Sequence, residues 1–127
     1  MSNSITSEKV THGIRVRTIP VYVPENSRPE ENKYFFAYTI QIQNESDKTV
    51  QLLSRHWIII NSEGDREDVE GPGVVGKTPS LAPNEKFEYM SFCPLNTPWG
   101  TMEGSFTFTD MHGESFEVEI ERFILAM

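Results

Sequence analysis

The chain has a single cysteine, Cys93, so no disulfide can close within it. No apolar run approaches the roughly 20 residues that a helix needs to cross a bilayer. No secretory apolar segment stands at the N-terminus. These absences point to a cytoplasmic protein with no membrane partner, and they leave the Asn44-Glu45-Ser46 sequon without a use. Basic residues are in the minority: 11 Lys and Arg face 19 Asp and Glu, for a net charge of −8. The basic residues are scattered and form no tract. Such a field repels a phosphate polyanion, which argues against a nucleic-acid partner. The three histidines, His12, His56 and His112, lie too far apart in sequence to read as metal ligands. No segment keeps a period of 3.6, so no amphipathic helix is expected.

What the chain does have is alternation. Val10, His12, Ile14, Val16 and Thr18 share one side of an expected strand over residues 10–18, with Arg15 and Arg17 opposite. Pro20 interrupts it, and residues 21–23 resume it as an edge. Residues 33–44 form the cleanest strand, with Phe36, Tyr38, Ile40 and Ile42 on one face. Further strands are expected over 49–53, 57–60, 65–70, 85–93, 102–109 and 114–125. Residues 61–64 and 110–113 supply hairpin turns, each ending in Gly. In the last strand the apolar phase slips from Ile120 to Phe123, which places a bulge near Glu121 and Arg122. Seven or eight short strands with turns between them are the pattern of an all-β, antiparallel two-sheet sandwich over Trp57, Phe36, Tyr38, Phe106 and Phe116. With 127 residues and no repeat or linker, one domain is expected over residues 10–127, preceded by a flexible segment at 1–9.

Catalytic signals are sparse. There is no G-x-S-x-G elbow. Cys93 reads as a small core residue at a strand end. The acidic run Glu63, Asp65, Glu67, Asp68 and Glu70 reads as a solvated strand edge. The stretch Gly71-Pro72-Gly73-Val74-Val75-Gly76 has the spacing of a dinucleotide fingerprint, but Pro79 and Pro83 prevent a helix from starting behind it. Three readings of it stay open. Gly71 and Gly73 could adopt positive φ to turn the chain, with Val74 and Val75 plugging the core. The amides of Gly73 to Lys77 could form a nest for a phosphate or carboxylate, helped by Lys77 and by Arg55 or Arg66. The loop could also be a protein-docking surface. Arg55 and His56 precede the buried Trp57 and could flank this loop. Trp99 lies in a Pro-containing loop, and its exposure would favour a binding role.

Several motifs together resemble the bacterial ApaG family. They are Phe35-Phe36-Ala37-Tyr38-Thr39-Ile40, Arg55-His56-Trp57, Gly64, and the run from Val69 to Gly76. They continue with Pro79-x-Leu81-x-Pro83, Phe87-x-Tyr89-x-Ser91 and Thr97-Pro98-x-Gly100-x-Met102-x-Gly104. The resemblance spans residues 10–125. It departs at Asn84, where the family usually has Gly, a position that Asn tolerates. The resemblance implies a fibronectin type III-like or immunoglobulin-like sandwich. It also implies a link, through gene neighbourhood, to diadenosine tetraphosphate hydrolysis and an rRNA dimethyladenosine methyltransferase. It carries an association with cobalt and magnesium efflux, and with interaction domains of eukaryotic F-box and polymerase-interacting proteins. The expectation is a non-enzymatic interaction module without a cofactor, binding a protein through Arg55, His56, Gly71, Gly73, Val74, Val75, Gly76, Lys77 and Trp99. The alternative is a small-ligand module for a phosphate, a nucleotide or a divalent cation at the glycine loop.

Overall fold

A computed structural model of the chain describes residues 6–127. Two antiparallel sheets form a sandwich. The first contains β1 (Ser7–Thr11), β2 (Ile14–Tyr22), β3 (Tyr34–Asn44) and β7 (Lys86–Leu95), in the order β1-β2-β3-β7. The second contains β4 (Val50–Asn61), β5 (Arg66–Pro72), β6 (Ser80–Leu81), β8 (Trp99–Asp110) and β9 (Ser115–Ala126). Its order is β5-β4-β8-β9, and β6 pairs with the start of β4 on the same edge as β5. Two three-residue 3₁₀ turns, Pro24–Asn26 and Pro29–Glu31, fill the β2–β3 connection.

The expected single strand over 10–18 is a hairpin. His12 at φ 52 and Gly13 at φ 77 make a two-residue turn, and Thr11 pairs with Ile14. Positive φ at both central residues matches the right-handed twist of the flanking strands. His12 therefore sits at the turn and does not continue the alternation. Ser7 pairs with Thr18, so residues 7–9, expected to be flexible, belong to β1. Of the rest of that expected segment, residue 6 precedes β1 outside any strand, and residues 1–5 lie outside the described residues. Among the described residues β2 runs on through Pro20 past its last β1 partner, where an edge tolerates a missing N–H.

Residues 49–53 and 57–60 are one strand, β4, with a register shift between Leu52 and Ser54. The extra residue, Leu53, resets the phase: Val50 and Leu52 face inward before it, Arg55 and Trp57 after it. The bulge expected near Glu121 and Arg122 is present. Met102 pairs with Phe123 and Gly104 with Ile120, so those two residues oppose Glu103 alone.

Trp57 centres the core, 3% exposed, with Tyr38, Phe106 and Phe123 around it at ring separations of 5.4, 6.3 and 5.9 Å. Phe36 is fully buried, and Phe116 packs half-buried against the cluster. On one long side the sandwich is closed, because β1 and β2 lie against β9. On the other side lie β5 and β7, the outer strands of the two sheets.

Candidate functional site

The glycine stretch lies at that second side. β5 leaves the β4 edge at Pro72, opposite Ser54, and β6 returns to it at Ser80, opposite Gln51. The intervening loop is tied down at both ends. The Gly73 amide donates to Leu53 O at 2.7 Å, and the Leu52 amide donates to Pro79 O at 3.0 Å. Between these anchors Val74 and Lys77 exchange amide bonds at 2.8 and 2.9 Å, closing a turn through Val75 (φ 43) and Gly76 (φ 78).

This geometry sorts the three readings residue by residue. Gly73 does adopt positive φ, at 62°, but Gly71 does not. Gly71 faces Arg55, and a Cβ there would stand 3.0–3.2 Å from its guanidinium. Glycine at position 71 is therefore a matter of space. Val74 plugs the core at 0% exposure, whereas Val75 points out at 51%. The amides of Gly73, Val74 and Lys77 are engaged within the protein, so a nest built on them loses three donors. No helix follows Gly76; the next element is the two-residue β6. The loop therefore lacks the helix N-terminus that makes a dinucleotide fingerprint bind pyrophosphate.

Arg55 and His56, adjacent in sequence, project to opposite faces of β4. Arg55 points between the sheets, and its Nη1 donates to Pro72 O and Gly73 O, both at 2.9 Å. It thereby clamps the start of the loop. His56 lies on the outer face, with Nε2 at 2.8 Å from Asp68 Oδ2. Asp68 also accepts two bonds from Arg66, at 2.7 and 3.0 Å. Arg66 first, and His56 second, hold the Asp68 carboxyl well below the usual carboxylate range. Lys77 is exposed on the loop. Trp99 opens β8, 49% exposed, but Gly100 next to it pairs with Asn61 at the far end of β4. Seven residues of strand separate that end from Ser54, roughly 20 Å at strand rise. The structure thus gathers Arg55, Gly71, Gly73, Val74, Val75, Gly76 and Lys77, and leaves His56 and Trp99 elsewhere.

It also adds residues that sequence reasoning assigned to the core or left aside. A cleft of about 370 Å³ opens beside the loop, lined by Tyr38, Tyr89 and Ser91 of the first sheet and by Arg55 and Trp57 of the second. Pro72 and Val74 to Gly76 form its rim. Tyr89 is only 8% exposed, and its hydroxyl has no hydrogen-bond partner. Burial pushes up the pKa of both Tyr38 and Tyr89. Phe87, Tyr89, Ser91 and Cys93 share the inward face of β7, so alternation alone reads Tyr89 as a core residue. Burial also pushes the Cys93 thiol up to about 12, so it is no nucleophile at neutral pH. Among the described residues no group of three or more His, Cys, Asp or Glu is placed to hold a metal ion. No helix of the described residues is long and apolar enough to cross a membrane.

Comparison with known proteins agrees with the resemblance. A family model described as the ApaG domain matches residues 24–110. Protein ApaG of Methylobacterium sp. (strain 4-46) is 52% identical over 115 residues, covering 91% of this chain and 88% of that one. Protein ApaG of Mesorhizobium japonicum is 47% identical over 116 residues, covering 91% and 89%. The crystal structure of a Bordetella pertussis protein described as ApaA superposes with a TM-score of 0.87 at 48% identity, covering 94% of each chain. A family model over residues 24–110, relatives at about half identity over nine-tenths of the chain and this structural match lead to one conclusion: the chain belongs to the ApaG family.

Proposed function

We propose that the domain is a non-enzymatic interaction module that receives a partner protein at the open side of the sandwich, with the Val75 turn as its contact point. The observation that carries this reading is the state of Val75. A β-branched side chain held at positive φ costs about 1–3 kcal/mol, and Gly, Asn or Asp would suit the turn better. Half of this side chain stands in solvent, so its apolar surface gives little to the core. Contact with a partner gives it a role. The loop alone is smaller than a typical interface, which covers about 800 Å² on each partner. Further apolar surface is available on the outer face of β7, where Met90 and Phe92 are exposed and Phe92 stacks on Phe35 at 5.3 Å. The single cysteine and the bacterial relatives support the cytoplasm as the compartment.

Val75→Asp tests the reading. The change places a charge on an exposed turn and leaves the core intact. The melting temperature should stay close to that of the parent, since exposed substitutions usually act within about ±0.5 kcal/mol. A photo-crosslinker placed at position 75 in the parent chain should capture a protein that Val75→Asp no longer recovers in a pull-down. Equal recovery by both chains refutes the docking role of the turn.

A further inference from the structure

Two kinds of hydrogen-bonding capacity face each other across the cleft without a protein partner. The Tyr89 hydroxyl is buried and orphaned. A buried hydroxyl without a partner is destabilising, and native proteins rarely keep one without a use. On the opposite wall Arg55 engages only Nη1, on Pro72 O and Gly73 O. A guanidinium carries five N–H donors, and among the described residues those on Nε and Nη2 meet no acceptor. The guanidinium is within electrostatic reach of both phenols: burial raises their pKa values, and Arg55 opposes that rise at each. Among the described residues no carboxylate lines the cleft.

We propose that this cleft is a carboxylate-binding site, in which Arg55 supplies the charge through its unengaged N–H groups and the Tyr89 hydroxyl donates a hydrogen bond to the bound oxygen. One guanidinium matches one negative charge, and its planar fork matches a planar carboxylate. A phosphate carries more charge and gains from amide nests, but Gly73, Val74 and Lys77 have engaged theirs. In a chain of net charge −8, a dianion would need a second cation in the cleft, and among the described residues Arg55 is the only one in its lining. The site stands on side chains of β4 and β7 and is independent of the docking role given to Val75.

The test is an acetate titration at constant ionic strength, followed by ¹⁵N NMR on the parent chain and on Tyr89→Phe. Acetate should give saturable shifts at the Arg55 Nε–H signal and at the amides of Val75 and Gly76. Tyr89→Phe should weaken acetate binding roughly tenfold, the scale of one hydrogen bond to a charged group. Without acetate the same variant should melt at the parent temperature or above it, because it deletes an orphaned group. Arms with N-acetyl-alanyl-alanine and its C-terminal amide identify the source. Tighter binding of the acid than of acetate, with none of the amide, assigns the site to a chain end. Acetate binding as tightly as the dipeptide acid assigns it to a small carboxylate. A linear response to acetate, equal affinity in Tyr89→Phe, or a lower melting temperature of that variant without acetate each overturns the proposal. So does inorganic phosphate binding more tightly than acetate, with an affinity that Lys77→Ala abolishes.

Discussion

The two long sides of the sandwich are built differently. On the closed side, β1 and β2 lie against β9, and side-chain contacts complete the seam: the Glu119 amide donates to Thr11 Oγ1 at 3.2 Å, and Ser7 Oγ donates to Glu121 O at 3.4 Å. Its turn, at His12 and Gly13, uses residues suited to positive φ. On the open side, a valine occupies positive φ, an arginine points between the sheets, a tyrosine hydroxyl lacks a partner, and the rim of a cleft stands where a seam would be. Both sides belong to one fold with one core, so the fold does not demand these costs. They gather where a ligand or partner could offset them, as strained and unsatisfied groups do at functional sites.

The sharpest way to break this contrast is Val74→Asp. If the loop is a fixed wall of the open side, the charge is buried without a partner and should cost about 3–5 kcal/mol, a large share of the roughly 5–15 kcal/mol that holds a typical domain folded. Urea melts read this directly. A loss below about 1 kcal/mol would show that the loop lifts off and exposes position 74. The open side would then be loosely held, and its orphaned groups would have water as a partner.

Gly71→Ala comes next. The new methyl would crowd the Arg55 guanidinium at 3.0–3.2 Å and push it off Pro72 O and Gly73 O. A loss of about 1–3 kcal/mol is expected, the usual scale for overpacking. An unchanged melt would mean that the arginine clamp holds nothing.

Much of this was legible in the chain, and the failures have physical causes. The β9 bulge could be read because Ile120 and Phe123 are both apolar and out of phase. The β4 bulge has the same cause but was hidden, because the first inward residue after Leu53 is the charged Arg55, and the strand read as two. The His12 turn was hidden for the opposite reason: His12 continued an alternation that the chain in fact breaks. The glycine stretch was recognisable as the surface to suspect, and it does carry the clustered residues. Its tyrosine wall was not, because Tyr89 has the pattern of a core residue. A missing hydrogen-bond partner is a property of three-dimensional placement and leaves no mark on alternation. The distance of Trp99 from the loop was not legible, because strand register, which sets it, cannot be read from one chain.

Val75→Asn sharpens the contrast with a smaller change. Asn accepts the left-handed region that Val resists, so the variant should gain about 0.5–1.5 kcal/mol and should lose the partner that docks at Val75. A gain in stability together with a loss of binding would show that the strain serves function. A loss of stability would show that Val75 already packs well in the free protein.

The smallest effect is expected on the closed side, from Lys9→Gln. Lys9 pairs with Glu119 across the β1–β9 seam, and both side chains are exposed. Glu119 raises the Lys9 pKa above its ordinary value, first through their hydrogen bond and then through its charge. A raised lysine pKa adds stability that is present below the unfolded-state value and is lost as pH rises through the folded one. The pair therefore acts across the neutral range and fades only above the ordinary lysine value of about 10.4. Its size is limited by water and salt, which screen exposed charges beyond about 8 Å at physiological ionic strength. Lys9→Gln should lower the melting temperature by less than Val74→Asp or Gly71→Ala does, and the difference should vanish in high salt. If the shift instead rivals that of Gly71→Ala and survives high salt, the closed side is held by its charges. The closed seam would then depend on costly local devices as much as the open side does, and the distribution of strain would no longer single out the cleft.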